Sequence, residues 1–396
     1  MLHHLNEQLA STPIPQLGQA VCENVSRRSF LAGTAAFVVA MQVVPAHAYK
    51  TYKHGGIVAK PHVFVSIDPD GTVTIVAHRS EMGTGSRTSI PMVIADEMEA
   101  DWGRVKVVQA EGDEPKYGNQ DTDGSRSLRH HIQPARDIGA SVRLMLEQAA
   151  AKLWKTDVSE VQAINHEVVH KSLGVRVGYG RLAKVAMGLP APARESLRHK
   201  KESEFRYIGR GTVRIVDLHD ITTGKATYGA DVRLPGMKYA VIARPPVVGG
   251  TIKKVNKAAA LKVPGVERVE VIPTTGLGSK FKPLGGVAVI ANSTWAAIQG
   301  RDALKIDWNP GPNGTYNTSA YEKSLRASAR AAGTPVRNQG DAEKALKGAA
   351  KVFTREYYQP HMVHAPMEPP AAIASFKNGR CEIWGPVQSP YAVRTA

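Results

Sequence analysis

Residues 72–89 read TVTIVAHRSEMGTGSRTS. The run TVTIVA (72–77) alternates with the period of a half-buried strand, and it enters a turn in which Gly83 and Gly85 bracket Thr84. Upstream, HVFVSI (62–67) alternates in the same way, and Asp68-Pro69-Asp70-Gly71 between the two runs predicts a β-hairpin. Downstream, a helix is expected from Ser89, with Pro91 in its first turn and Met92, Ala95, Met98 and Glu99 carrying it to Trp102. RVKVVQA (104–110) reads as the next strand. The stretch predicts a mixed α/β (α+β) unit built around a hairpin, a glycine turn and a helix.

An aperiodic polar stretch follows, EGDEPKYGNQDTDGSRSLRHH (111–131), of a length that in a compact domain marks a functional or a disordered loop. Ile138, Val142, Met145, Leu146, Ala149 and Leu153 then recur at helical spacing and read as the core face of a long helix. Residues 190–204 shift to proline and charge and read as a linker. A second α/β unit is expected over 205–310, with strands at 239–244, 266–272 and 285–291 and helices near 255–262 and 294–304. Two short helices and a strand, KVFTREYY (351–358), are expected in the remainder, 311–396.

The first 48 residues read as a leader. Ser26-Arg27-Arg28-Ser29-Phe30-Leu31 places paired arginines before the apolar LAGTAAFVVAMQVV (31–44), and Ala46-His47-Ala48 offers a cleavage site. This pattern predicts twin-arginine export to the periplasm of an already folded protein; an uncleaved leader would leave it membrane-associated. Arg27 and Arg28 are balanced by Glu7 and Glu23, so the net charge of +16 survives processing. Positive residues crowd 194–214 and 233–262, which suits solvated surface or an acidic redox partner. A nucleic-acid partner is not expected, because recognition motifs are absent and aromatics make up only 6% of the chain. Of the two cysteines, Cys22 lies in the leader, so Cys381 alone cannot form a disulfide, a thiolate zinc cage or an iron–sulfur cluster.

Few motifs carry chemistry unaided. The amides of Gly83 to Ser86 suit an anion-binding nest or a plain structural turn. The Walker pattern lacks its Gly-Lys-Ser/Thr, and Thr88 interrupts G-x-G-x-x-G. His361-x-x-His364-x-x-x-Glu368 has metal-ligand spacing only on a helix, which Pro366, Pro369 and Pro370 forbid. His130-His131 reads as a polar loop. No serine stands in G-x-S-x-G, and no metal ligand or nucleophile is assigned.

Several stretches together resemble one family: RSEMGTGSRTSIPMVIADEMEADW (79–102), YGNQDTDGSRS (117–127), DITTGKATYGADVRLPGMKYAVIARPPVVGG (220–250), GVAVIANSTWAAIQGRDAL (286–304) and HAPMEPPAA (364–372). They are similar to the molybdopterin-binding large subunit of the xanthine dehydrogenase and aldehyde oxidase family, in the isoquinoline 1-oxidoreductase β branch. The resemblance implies a molybdopterin-binding-type unit over 49–204, an a/b hammerhead domain over 205–310 and the beginning of a further molybdopterin-binding domain over 311–396. It implies a molybdenum–molybdopterin cofactor in a dinucleotide form, held by Gly83, Thr84, Gly85, Gly124, Ser125, Arg126, Ser127 and Gln388. Thr84 replaces the glutamine of the family's Met-Gly-Gln-Gly.

The resemblance also implies hydroxylation of an aldehyde or N-heterocycle, with electrons leaving through a separate small [2Fe-2S] subunit toward an acceptor such as a cytochrome c. The chain ends at Ala396, before the family's G-G-G-F-G loop and the late G-x-G-E segment that carries the base, and it reads as an N-terminal half. No glutamate here, Glu81 and Glu368 included, matches the catalytic position, and turnover by the chain alone is not expected. A non-catalytic exported binding or assembly module, or one half of a split enzyme, stays open beside the enzyme reading.

Overall fold

A computed structural model describes residues 22–23, 37–38, 63–274 and 284–395. The arginine pair, the cleavage site and most of the apolar stretch of the leader lie outside the described residues. The chain divides into two units, residues 1–229 with 374–396, and residues 230–373.

In the first unit Cys22–Glu23 (β1), Phe37–Val38 (β2), Val65–Ile67 (β3) and Val73–Ala77 (β4) join one sheet. Helix Ser86–Glu97 (α1) connects β4 to its parallel neighbour Val105–Gln109 (β5). The sheet order is β1-β5-β4-β3-β2. The β3–β4 hairpin forms at the expected Asp68–Gly71 turn, where Gly71 takes φ +92° and donates its N–H to the Asp68 carbonyl at 2.8 Å. Two single-turn helices, Glu114–Tyr117 (α2) and Arg126–Arg129 (α3), interrupt the polar stretch expected to be irregular. Helix Ile132–Trp154 (α4) follows, then a three-stranded sheet of Val161–Ile164 (β6), Glu167–His170 (β7) and Arg176–Gly178 (β8), and helix Tyr179–Met187 (α5). A short helix, Leu218–Thr223 (α6), lies near the end of this part of the chain.

Ile67, Val73, Ile75, Val107, Ile94, Met98, Met145, Leu146 and Leu182 are fully buried in a single core. Each large apolar side chain so buried contributes about 1.5–3 kcal/mol. Gly139 lets α4 approach α1 closely, since a Cβ there would lie 2.5 Å from the Ile94 carbonyl oxygen. Leu153, expected on the buried face of α4, is half exposed, because the last turn runs past the edge of this core.

The stretch expected as a linker is instead fastened to α1. Asp96, fully buried, accepts from the backbone N–H groups of Arg206 (3.1 Å), Tyr207 (2.9 Å) and Ile208 (2.9 Å) and from the Lys200 ammonium at 2.6 Å. Lys200 also pairs with Glu99 at 2.6 Å. Glu97, also fully buried, pairs with Arg136 at 2.6 Å and accepts the Lys200 amide at 3.1 Å. Burial opposes ionisation of Asp96, but the donors of Ile208, Lys200, Tyr207 and Arg206 outweigh it and hold the carboxyl below its ordinary value.

In the second unit Tyr239–Ala243 (β9), Val266–Ile272 (β11) and Gly286–Ala291 (β12) form an antiparallel sheet of order β11-β12-β9, as the alternation predicted. The helix expected near 255–262 is replaced by strand Thr251–Asn256 (β10) and a single 3-10 turn. β10 pairs with Lys305–Asn309 (β13), and a register shift between Ile252 and Lys254 lets both Ile252 and Val255 reach the small core. Helix Thr294–Asp302 (α7) is capped by the Ser293 hydroxyl, which accepts from the Ala296 N–H at 3.2 Å. The expected pair of short helices is Thr318–Arg330 (α8) and Ala342–Lys347 (α9). Residues 351–358, expected as a strand, form no regular element, and no strand among the described residues pairs with them. From residue 374 the chain returns to the first unit, where Ile373–Lys377 (β14) and Arg380–Trp384 (β15) form a hairpin through Asn378 and Gly379, both at positive φ, and helix Pro390–Thr395 (α10) follows.

Candidate functional site

The candidate site forms where β4 leaves the sheet. The chain passes through His78, Arg79 and Ser80 into the glycine turn, where Met82, Gly83 and Thr84 are exposed. Gly83 and Gly85 take φ +83° and +77°, which glycine adopts without strain, and nothing stands within 4 Å of where a Cβ on Gly83 would be. The helix begins at Ser86, three residues before the expected start, with Pro91 inside it. The reason is a cap no local pattern announces. The Glu81 carboxylate accepts from the N–H groups of Thr84 (2.6 Å), Gly85 (2.9 Å) and Arg87 (3.0 Å). Of the Gly83 to Ser86 amides read as donors for an external anion, those of Thr84 and Gly85 are thus taken by an internal one.

A second segment closes over the same strand end. Gln120, buried, donates to the carbonyls of His78 (3.1 Å) and Glu111 (2.8 Å), and the buried Thr122 hydroxyl donates to the Ser80 carbonyl at 2.7 Å. Gln109 secures the strand end from β5, donating to the Ala77 and Arg79 carbonyls at 3.0 and 3.2 Å. Gly124 and Ser125 follow at positive φ and are exposed, and Arg126 and Ser127 are half-buried. Gln388 arrives from the C-terminal segment. Its amide donates to the Thr122 carbonyl at 2.6 Å, and its own backbone carbonyl accepts the Thr122 N–H at 3.1 Å. The eight expected residues therefore fall into two groups. Gly124, Ser125, Arg126 and Ser127 follow Thr122 in one segment, to which Gln388 is bonded at Thr122, while Gly83, Thr84 and Gly85 follow the strand end that Thr122 and Ser127 reach through Ser80 and Arg79.

Arg79 is fully buried beneath the 119–127 segment. It donates from Nε to Ser127 Oγ at 3.3 Å and from Nη1 to the Asn119 carbonyl (3.0 Å) and Oδ1 (2.5 Å). Burial, and then Arg126, push its pKa down to about 10 against the opposing pull of Asp121, Asp123 and Glu114. His78 and His131 meet edge to face at 4.9 Å, both fully buried. Burial holds both imidazoles below the usual histidine range, with the charge of His131 next for His78 and that of Arg79 for His131, which is pushed to about 4. The polar-loop expectation for His130-His131 is thus wrong for His131, which closes the core end of the site.

The other motifs lie elsewhere. Residues 361–368 are not helical; His361 stacks on Tyr316 and takes part in a 3.2 Å hydrogen bond with its hydroxyl, while Glu368 accepts the Ala230 N–H at 3.0 Å. Cys381 is exposed and free.

Similarity to known proteins decides the family. Residues 27–228 match the molybdopterin cofactor-binding domain, and residues 327–396 match a second domain of that description. The chain belongs to the molybdopterin cofactor-binding family. Its similarity runs to the β chain of isoquinoline 1-oxidoreductase from Brevundimonas diminuta, 29% identical over 96% of this chain and 53% of that protein. It runs also to a membrane-bound aldehyde dehydrogenase [pyrroloquinoline-quinone] of Gluconacetobacter polyoxogenes, 32% identical over 82% of this chain and 42% of that one. A nicotinate dehydrogenase subunit of Pseudomonas putida is 28% identical over 93% of the chain and 31% of its own length. The chain thus spans about half, or less, of these relatives. Among solved structures, quinoline 2-oxidoreductase from Pseudomonas putida 86 is similar at a TM-score of 0.31 and 20% identity, covering 43% of this chain and 25% of that one.

The molybdopterin-binding chain offers a coherent donor set for such a group. Open space beside Gly83, the exposed Gly124 and Ser125, the Ser127 hydroxyl and the unpaired Nη2 of the buried Arg79 suit a bulky anionic ligand at the 124–127 loop. The turn amides held by Glu81 do not. Arg79, Gln120, Thr122 and the capping role of Glu81 were missed in the sequence, although all four stand inside stretches that carry the family resemblance. Polar residues at a strand end give no periodic signal.

Proposed function

We propose that this chain forms part of the large subunit of a molybdenum hydroxylase that oxidises an aldehyde or an N-heterocycle. The observation that carries the reading is the convergence of the 122–127 loop and Gln388 on one strand end, within a chain of molybdopterin-binding type. When bound, the molybdenum–pterin group, taken here as a dinucleotide form, would supply two-electron hydroxylation with oxygen derived from water. This chain's own contribution is to bind and orient it. Gly83 and Gly124 allow close backbone approach, Ser125 and Ser127 offer hydroxyl donors, Arg126 offers charge, and the Gln388 amide is aimed by Thr122.

Cysteine use supports a separate electron carrier: with only Cys22 and Cys381, the chain lacks the ligands an iron–sulfur cluster requires. The electrons then pass to a small [2Fe-2S] subunit and on to an acceptor such as a cytochrome c. The Arg27-Arg28 leader supports periplasmic export by the twin-arginine route, after cofactor loading.

The test is co-production of the chain with a [2Fe-2S] subunit in a host that makes the cofactor, supplying the late glutamate segment of the relatives where turnover requires it. An aldehyde and an N-heterocycle are offered in 18O-labelled water. Label in the product with dye reduction supports the reading; a complex that holds molybdenum yet oxidises neither class contradicts it.

A further inference from the structure

The buried guanidinium of Arg79 has no carboxylate bonded to it. The nearby acids are committed elsewhere: Asp121 to Asn119 Nδ2 (3.2 Å), Glu114 to Asn119 Nδ2 (3.3 Å) and the Gln120 N–H (2.9 Å), and Asp123 to Arg126. Nη2 is sealed from solvent and has no hydrogen-bond partner. A buried cation without a bonded counter-charge is costly, and an anion that approaches it recovers that cost. Its two engaged nitrogens hold one loop. Nη1 grips Asn119 at one end, and Nε donates to Ser127 Oγ at the other. A serine oxygen that accepts from an arginine keeps its own hydrogen free to donate to another partner, and Ser127 is half-buried beside the exposed Gly124 and Ser125.

We propose that Arg79 is a positioning residue for a phosphate-class oxyanion: it presents the Ser127 hydroxyl as a donor and supplies positive charge, with no carboxylate bonded to it among the described residues, beneath the 124–127 loop. This rests on the cofactor-binding reading and deepens it by naming which part of the ligand this loop holds, the phosphate-bearing part. The glycine turn is less suited to that role because Glu81 already takes the Thr84 and Gly85 amides. An arginine that only braced the fold would alter stability and leave anion affinity unchanged.

The test is calorimetric titration of the full chain with inorganic pyrophosphate, beside Arg79→Gln, Arg79→Lys and Ser127→Ala, with thermal unfolding of each recorded separately. The wild-type chain should bind. Ser127→Ala should weaken binding about tenfold, the loss of one charge-assisted hydrogen bond. Arg79→Gln should weaken it at least as much and flatten its salt dependence, Arg79→Lys should keep that salt dependence, and Arg79→Gln combined with Ser127→Ala should lose little beyond Arg79→Gln alone. Unchanged affinity in Ser127→Ala, or in a folded Arg79→Gln, overturns the inference; if Arg79→Gln does not fold, Ser127→Ala decides alone. Absence of binding by the wild type also overturns it. Molybdenum and pterin found on that same wild-type chain would then leave the cofactor reading standing without this inference.

Discussion

Replacing Asp96 by alanine should be among the most damaging single changes in the first unit, although the residue is polar and far from the glycine turn. Its carboxylate, fully buried, gathers three consecutive backbone N–H groups, those of Arg206, Tyr207 and Ile208, together with the Lys200 ammonium. Truncation leaves the amides without an acceptor and removes one of the two carboxylates that hold a buried ammonium. Breaking a buried pair from one side costs about 3–5 kcal/mol, and each orphaned donor adds up to about 1 kcal/mol where water cannot follow. A loss of about 4 kcal/mol is expected, a large part of the stability of an ordinary domain. Lys200→Met should cost less, about 2 kcal/mol, because Asp96 keeps its three amides and Glu99 keeps Arg206 at 3.3 Å. The assay is urea unfolding followed by the fluorescence of Trp102, which is buried in this unit and tilted against Tyr207. The lowered carboxyl pKa adds a sign: the contribution is present above the unfolded value of 3.8 and is lost as pH falls through the folded one. A loss below about 1 kcal/mol for Asp96→Ala, or a larger one for Lys200→Met, would refute the reasoning.

Three further outcomes are expected. His131 titrates near 6.5 when unfolded and at about 4 when folded, so the unfolded chain binds the extra proton between those values. Stability should therefore fall by about 3 kcal/mol as pH drops through that window, and His131→Phe should flatten the profile. Glu81→Gln leaves one acceptor oxygen for the Thr84 and Gly85 N–H groups and turns a donor toward that of Arg87; a cost of about 2 kcal/mol and a loss of amide protection at Arg87 are expected, measured by hydrogen exchange. Gly139→Ala drives a methyl group onto the Ile94 carbonyl and should cost about 1–3 kcal/mol, checked by thermal unfolding.

Six strands were legible because alternation and turn chemistry are local: Asp68 to Gly71 announces the hairpin, and 239–244, 266–272 and 285–291 announce the three-stranded sheet of the second unit. What escaped was settled by distant partners. The start of α1 depends on a carboxylate at position 81 rather than on a residue in the cap position. The supposed linker carries Lys200, and Arg206 follows it directly; both look like solvated charge until Asp96 and Glu99 are placed opposite them. KVFTREYY has strand composition, but a strand exists only where another is paired with it. For the site, the glycine turn and the 124–127 loop stood out through the family resemblance, whereas Arg79 beneath them is visible only as a buried charge.

The most direct test of the account is the molybdenum and pterin content of the full chain, purified from a host that makes the cofactor, beside a Thr122→Val, Gln388→Ala variant that keeps the fold. The account predicts equimolar metal and pterin on the wild-type chain and their loss from the variant. A wild-type chain carrying neither, or a variant that retains both, would contradict it.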